Sequence, residues 1–168
     1  CRGLFISPND QEQSLYAQCL IDTLQKNRFD VLVPISDQCV FACAQNRDTI
    51  LSLTNVVIPP LETVLLAADK KKTYHYALDH NIPIPKTYFP PDIDAVRVMA
   101  EKNIYPCLVK IPRGRASKGI YSAANKQELL QIFESAELFG QWPVIQEMII
   151  EGDMFGASAV ASEGRMLG

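Results

Sequence analysis

Two apolar runs, CLVKI at 107–111 and IYSAA at 120–124, are joined by one short basic loop, Pro112 to Gly119. So short a connection leaves one pairing, an antiparallel hairpin. The segments around it repeat strand and helix signals. IPIPKTYF at 82–89 is extended, because Pro83 and Pro85 push the residues before them out of the α region. DIDAVRVMAEKN at 92–103 has helical spacing, with Val96, Met99 and Ala100 inward. KQELLQIFESAELF at 126–139 is an amphipathic helix with Leu129, Leu130, Phe133 and Leu138 inward. WPVIQEMII at 142–150 and FGASAVAS at 155–162 read as strands, with a turn at Glu163-Gly164 and a returning strand after it. From residue 83 the order is therefore β-α-β-β-α-β-β, an antiparallel α+β unit.

The first part of the chain reads differently. Residues 11–27 place Leu15, Cys19, Leu20 and Leu24 on one helical stripe, with Asp10 as N-cap. FDVLVPIS at 29–36 is a continuous apolar run, as in a strand buried on both faces. Asp37 is placed to cap a helix through QCVFACAQNRDTILSL, and NVVIPP at 55–60 is a second short buried strand. Strand, helix, strand in that order predicts part of a parallel α/β layer. A helix is expected from about Leu61 through the lysine run Lys70-Lys71-Lys72 to His80, ended by Asn81 and Pro83. The boundary between the two parts falls within residues 60–85.

Composition narrows the function classes. A net charge of −3 gives no global basic field for nucleic acid, so any anion site must come from local clustering. No apolar run approaches membrane-spanning length. Five cysteines, an odd count with no secretory signal, read as reduced and cytoplasmic. Cys39 and Cys43, one helical turn apart, read as small buried hydrophobes rather than metal ligands. The end of the chain, inside the second strand of a hairpin, leads us to expect a piece of a longer protein.

The hairpin loop is where chemistry concentrates. Alternation puts Leu108 and Lys110 on one strand face. A lysine on a mostly covered face needs an anionic partner or a route to solvent. Arg113, Arg115 and Lys118 follow, with Gly114 and Gly119. Glycines let backbone N–H groups converge on an anion, and the cations add to that field. Neither a Walker loop nor a G-x-G-x-x-G is present. On physical chemistry alone, a phosphate site and a solvated turn fit these residues equally well.

Four stretches in order, FDVLVPISD, AADKKKTYHYALDHNIPIPKTYF, YPCLVKIPRGRASKGIYSAANKQEL and WPVIQEMIIEGDMFGASAV, resemble the ATP-grasp superfamily. The likeness is to its carbamoyl-phosphate synthase-like and carboxylate–amine ligase-like members. It implies a partial parallel α/β pre-ATP-grasp layer at 1–66, then the N-terminal part of an antiparallel α+β ATP-grasp domain at 67–168. The flap-bearing subdomain would span about 83–150, and the C-terminal half of the grasp would be missing.

The resemblance also assigns roles. Lys70 matches the lysine that reaches the phosphates, and Lys110 the one that contacts the α and β phosphates. Ser117 and Gly119 match the flap over the β and γ phosphates. Glu147 matches the acidic residue near the adenine amino group, and the Met148 carbonyl and Ile150 N–H match the pair on the adenine edge. Where the family has a ribose-binding glutamate this chain has Met154, and Asp153 beside it is the substitute. The family's magnesium ligands would lie beyond Gly168, so no metal ligand and no catalytic residue is expected within the chain.

The implied parent is a cytoplasmic ATP-dependent ligase that activates a carboxylate or bicarbonate as an acyl phosphate for attack by an amine. Its partners would be those small molecules, with neither nucleic acid nor membrane, and with room for a homodimer. The alternative is a nucleotide-binding regulatory module without ligase chemistry. Without the resemblance, Lys70 reads as part of a solvated face, Glu147 as an exposed strand residue, His75 and His80 as surface groups, and Trp142 as an anchor for its strand.

Overall fold

The computed structural model describes residues 7, 8, 12–102, 104–114, 119–135, 142–153, 155–159, 161, 162, 165 and 166. The chain forms two compact units, Cys1–Pro83 and Ile84–Gly168. Parallel pairing occurs in the first and antiparallel pairing in the second.

In the first unit, α1 (Gln13–Lys26), β1 (Val31–Leu32), α2 (Asp37–Gln45), α3 (Arg47–Leu53), β2 (Asn55–Val56), α4 (Leu61–Ala67) and α5 (Lys70–Asp79) follow in order. β1 and β2 pair in parallel, Val31 opposite Asn55 and Leu32 opposite Val56. Side chains reinforce that pairing: Thr54 Oγ1 donates to Phe29 O at 3.0 Å and Asn55 Nδ2 to Asp30 O at 2.8 Å. Leu24, Cys43, Ala44, Ile50, Ile58 and Val64 form the core.

Several sequence expectations need correction here. The strand predicted for 29–36 is only Val31–Leu32, and it is not buried on both faces. Val31, Val33 and Ile35 are exposed, the last at 91%, and alternate with half-buried Leu32 and Pro34. One face therefore packs on the helices and the other does not. Leu15 is exposed as well, because the inward stripe of α1 runs through Ala17, Leu20, Ile21 and Leu24.

Each of the two long helices is two helices. Asn46 leaves helical geometry (φ −113°, ψ 29°), and its side-chain amide donates to Ala42 O at 2.9 Å, separating α2 from α3. The cap of α2 is Ser36, not Asp37: its hydroxyl accepts the Cys39 N–H at 3.3 Å. Asp69 is extended, and its buried carboxylate accepts the N–H groups of Lys71 and Lys72 at 3.1 and 3.2 Å, starting α5 afresh. Asp10, the expected cap of α1, lies outside the described residues.

The second unit contains β3 (Thr87–Tyr88), α6 (Ile93–Ala100), β4 (Cys107–Lys110), β5 (Ile120–Ala123), α7 (Lys126–Glu134), β6 (Val144–Glu147), β7 (Ala161–Ser162) and β8 (Arg165–Met166). Four of these strands form one sheet in the order β3-β6-β4-β5, every neighbour antiparallel. The predicted hairpin is β4–β5, and β7 pairs antiparallel with β8. β7 is far shorter than the strand expected over 155–162.

Both helices of this unit carry side-chain N-caps. Asp92 accepts the Ala95 N–H at 2.7 Å. Asn125 accepts the Glu128 N–H at 3.0 Å while Glu128 reaches back to the Ala124 N–H at 2.8 Å, a reciprocal cap. The inward stripes, Val96 with Ala100 and Leu129 with Phe133, pack on Cys107, Val109, Ala123 and Ile145 of the sheet. Leu138 lies outside the described residues. Trp142 is an anchor, as expected: its ring meets that of Phe133 at 5.6 Å between centroids.

Candidate functional site

Strand register sorts the sheet of the second unit into two faces. Residues directly opposite one another project to the same side. Gln146 stands opposite Thr87 and Leu108, and Leu108 opposite Ser122. Lys110 stands opposite Val144 and Ile120. All of these project away from the side that carries Val109 and Ile145, where α6 and α7 pack. Alternation along β4 is visible in its burial: Cys107 and Val109 are buried, Leu108 and Lys110 half-buried.

Lys110 thus ends β4 on the face opposite α6 and α7, sharing it with Leu108 as its spacing implied. Its ammonium donates to Gln146 Oε1 at 2.5 Å. Gln146 is 3% exposed, a buried amide on β6 between Ile145 and the exposed Glu147. Its Nε2 donates to Thr87 Oγ1 at 2.7 Å, and the Thr87 hydroxyl donates to Pro85 O at 2.7 Å. Sequence reading passed over Thr87 and Gln146. The available signal was Gln146 itself, a polar residue on the Val144 side of the run Val144-Ile145-Gln146.

The loop after Lys110 is closed at its base by Ile111 N–H donating to Gly119 O at 2.8 Å. Gly119 has φ +82°, and a Cβ there would lie 3.0 Å from Ile111 Cδ1. Both conformation and space require glycine at this position. Arg113 is exposed. Ser117, like the rest of 115–118, lies outside the described residues.

At the end of β6 the chain leaves the sheet. Glu147 N–H still donates to Lys86 O at 2.9 Å and Met148 N–H to Pro106 O at 3.1 Å. Beyond that point neither the Met148 carbonyl nor the Ile150 N–H bonds a described residue. Met148, Ile149 and Ile150 are exposed. An acceptor and a donor two residues apart, among exposed apolar side chains, is an arrangement suited to a planar heterocycle that offers a donor and an acceptor side by side. The exposed Glu147 carboxylate accepts the Lys86 N–H at 2.8 Å, which ties the start of β3 to the end of β6. The Lys86 ammonium sits 5.6 Å from the Tyr88 ring, and the Tyr88 side chain holds its pKa above the ordinary lysine value.

Lys110, Gly119, Glu147, Met148 and Ile150 are thereby gathered on one sheet and the loop that leaves it. Lys70 belongs to the first unit, half-buried at the first position of α5 beside its cap Asp69. Asp153 is exposed beyond the sheet, and Met154 lies outside the described residues. Among the described residues no group of three His, Cys, Asp or Glu could hold a metal ion. No helix among them is long and apolar enough to cross a membrane.

The thiols differ in setting. Burial raises the pKa of Cys107 to about 11. Cys43 is raised to about 11 as well, by burial first and then by Cys39. Cys39, expected to be a buried hydrophobe, is half-buried and polar in its contacts, with Tyr16 Oη at 2.9 Å and Ser36 Oγ at 3.0 Å from its sulfur.

No protein-family model and no curated protein sequence matches the chain. Solved structures do. The biotin carboxylase domain dimer of Hydrogenobacter thermophilus 2-oxoglutarate carboxylase, in complex with MgADP, ADP and bicarbonate, aligns with a TM-score of 0.64 at 18% identity, over 88% of this chain and 34% of that one. Carboxyaminoimidazole ribonucleotide synthase from Aspergillus clavatus, complexed with ATP, aligns with a TM-score of 0.58 at 10% identity, over 80% of this chain and 34% of that one. The Aspergillus clavatus N5-carboxyaminoimidazole synthase with ADP and 5-aminoimidazole ribonucleotide gives 0.53 at 10% identity, over 79% and 32%. The chain spans about a third of the length of these structures. It has the fold of the corresponding part of these structures.

Proposed function

We propose that the chain is the ATP-binding portion of a ligase that activates a carboxylate, or bicarbonate, as an acyl phosphate for attack by an amine. The observation that carries this reading is the placement of Lys110, Gly119 and the open edge at Met148 and Ile150 on one sheet and its loop. The solved neighbours that share the fold contain ATP or ADP, and one contains bicarbonate and magnesium. In this reading Met148 O and Ile150 N–H bind the adenine edge, Glu147 lies by its amino group and Asp153 takes the ribose. Lys110 holds the phosphates. Ser117 and Gly119 belong to a flap that excludes water while the acyl phosphate exists.

The chemistry follows from charge. A carboxylate oxygen attacks the γ phosphorus, the bond to the β-phosphate oxygen breaks, and ADP leaves. The amine then attacks the activated carbon and phosphate departs. Positioning and charge neutralisation supply most of the acceleration in such transfers. The described residues offer Lys110 for this. The division into a pre-ATP-grasp layer at 1–66 and grasp residues from 67 onward is part of the same proposal, as is a homodimer like the biotin carboxylase neighbour.

A regulatory nucleotide-binding module is the second reading; Met154, where a ribose-binding glutamate would stand, favours instead a scaffold domain with a degenerate site. Phosphate release from ATP and magnesium by the intact protein separates the two. A ligase releases phosphate only when its carboxylate is added, from a panel that includes bicarbonate. Nucleotide binding with no release under any carboxylate would identify the regulatory module.

A further inference from the structure

We infer that Gln146, oriented by Thr87, is a positioning residue that presents the Lys110 ammonium to the phosphates of a bound nucleotide; this rests on the ATP-site reading above. The geometry fixes the direction of every bond in the chain. A hydroxyl has one proton, and that of Thr87 goes to Pro85 O at 2.7 Å. Thr87 Oγ1 therefore faces Gln146 as an acceptor, and Gln146 must turn its NH2 toward it, as the 2.7 Å contact records. The carbonyl end of the amide is then aimed at Lys110, which has donors only. The resulting 2.5 Å contact agrees with this from the other side, so both ends of the network assign the same amide orientation.

Stability alone does not explain an amide here. Gln146 is 3% exposed, and the two residues before it on β6, Val144 and Ile145, are fully buried hydrophobes. A buried amide must recover its lost hydration through hydrogen bonds, whereas an aliphatic side chain has no such cost. What the amide adds is a fixed acceptor for a long, flexible side chain. Losing that acceptor would loosen the Lys110 side chain and raise the ordering cost of nucleotide binding. An ammonium has three donors, and Gln146 engages one while the charge is retained.

The test is calorimetric titration of the intact protein with ATP and, separately, with adenosine. Gln146→Met keeps the volume and removes the acceptor. Thr87→Val keeps Gln146 and removes what orients it, and it stands in if Gln146→Met does not fold. Each is expected to weaken ATP by roughly three- to tenfold, at or below the low end for a hydrogen bond to a charged group, with adenosine unchanged. Thr87→Ser restores the hydroxyl and should restore ATP affinity. In a Lys110→Ala background Gln146→Met should cost nothing further, because the group it positions is gone.

Equal losses for ATP and adenosine, or a full additional loss in the Lys110→Ala background, would make Gln146 merely structural and overturn the inference. So would unchanged ATP affinity in both variants while Lys110→Ala weakens ATP; the nucleotide site would then stand without the relay. If Lys110→Ala itself leaves ATP binding untouched, the site reading fails and the relay with it.

Discussion

The Glu147 carboxylate accepts the backbone N–H of Lys86 at 2.8 Å, while the Glu147 N–H donates to Lys86 O at 2.9 Å. Backbone and side chain of one residue thus hold the first edge of the sheet to the strand that ends at the proposed adenine edge. Replacing Glu147 by Ala should loosen that edge at a cost of about 0.5–1.5 kcal/mol, and Glu147→Gln, which keeps an acceptor, should cost less. Urea unfolding of the two variants checks this. Equal destabilisation by Ala and Gln would show that charge, not the hydrogen bond, is what matters at this position.

Gly119→Ala should destabilise the hairpin base. The residue has φ +82°, and an added Cβ would crowd Ile111 at 3.0 Å. Strain of this kind costs about 1–3 kcal/mol. The comparison is Gly152→Ala: its φ of +120° is also unfavourable, but a Cβ there meets nothing within 4 Å. Denaturant midpoints should fall more for Gly119→Ala than for Gly152→Ala; the reverse order would contradict the crowding.

Alkaline pH should destabilise both units. Cys43 and Cys107 are raised from 9.0 to about 11 in the folded protein. The unfolded chain therefore releases these protons first as pH rises. Their contribution to stability is complete below pH 9 and is lost as pH climbs toward 11. Unfolding midpoints between pH 8 and pH 11 check the sign. Alkylation offers a second readout: at pH 9 both thiols should resist iodoacetamide until denaturant is added. Rapid labelling of either in the native protein would contradict the burial assigned to it.

The second unit was more legible in the sequence than the first, for a physical reason. Its helices present strong one-sided stripes such as Val96 with Ala100, its hairpin loop permits only one pairing, and Asp92 and Asn125 mark helix starts. In the first unit the hydrophobic pattern continues across breaks made by single polar residues. The Asn46 amide and the Asp69 carboxylate each turn one predicted helix into two, and periodicity carries no trace of such side-chain-to-backbone bonds. Val33 and Ile35 misled for the opposite reason, since an apolar run does not reveal that only one face of its strand is packed. Alternation placed Lys110 on its strand face, and the resemblance supplied the roles proposed for Gly119 and Glu147. The partnership of Lys110 with Gln146 and Thr87 depends on register across β3, β6 and β4, which no single segment encodes.

The measurement that bears most directly on the central claim is the affinity of the intact protein and of Lys110→Ala for ATP and for adenosine, by calorimetry. Lysine to phosphate is a charge-assisted contact, so Lys110→Ala should cost ATP about 1.5–3 kcal/mol and leave adenosine unchanged. Equal losses for the two ligands, or no ATP binding by the unaltered protein, would contradict a nucleotide site built on this sheet.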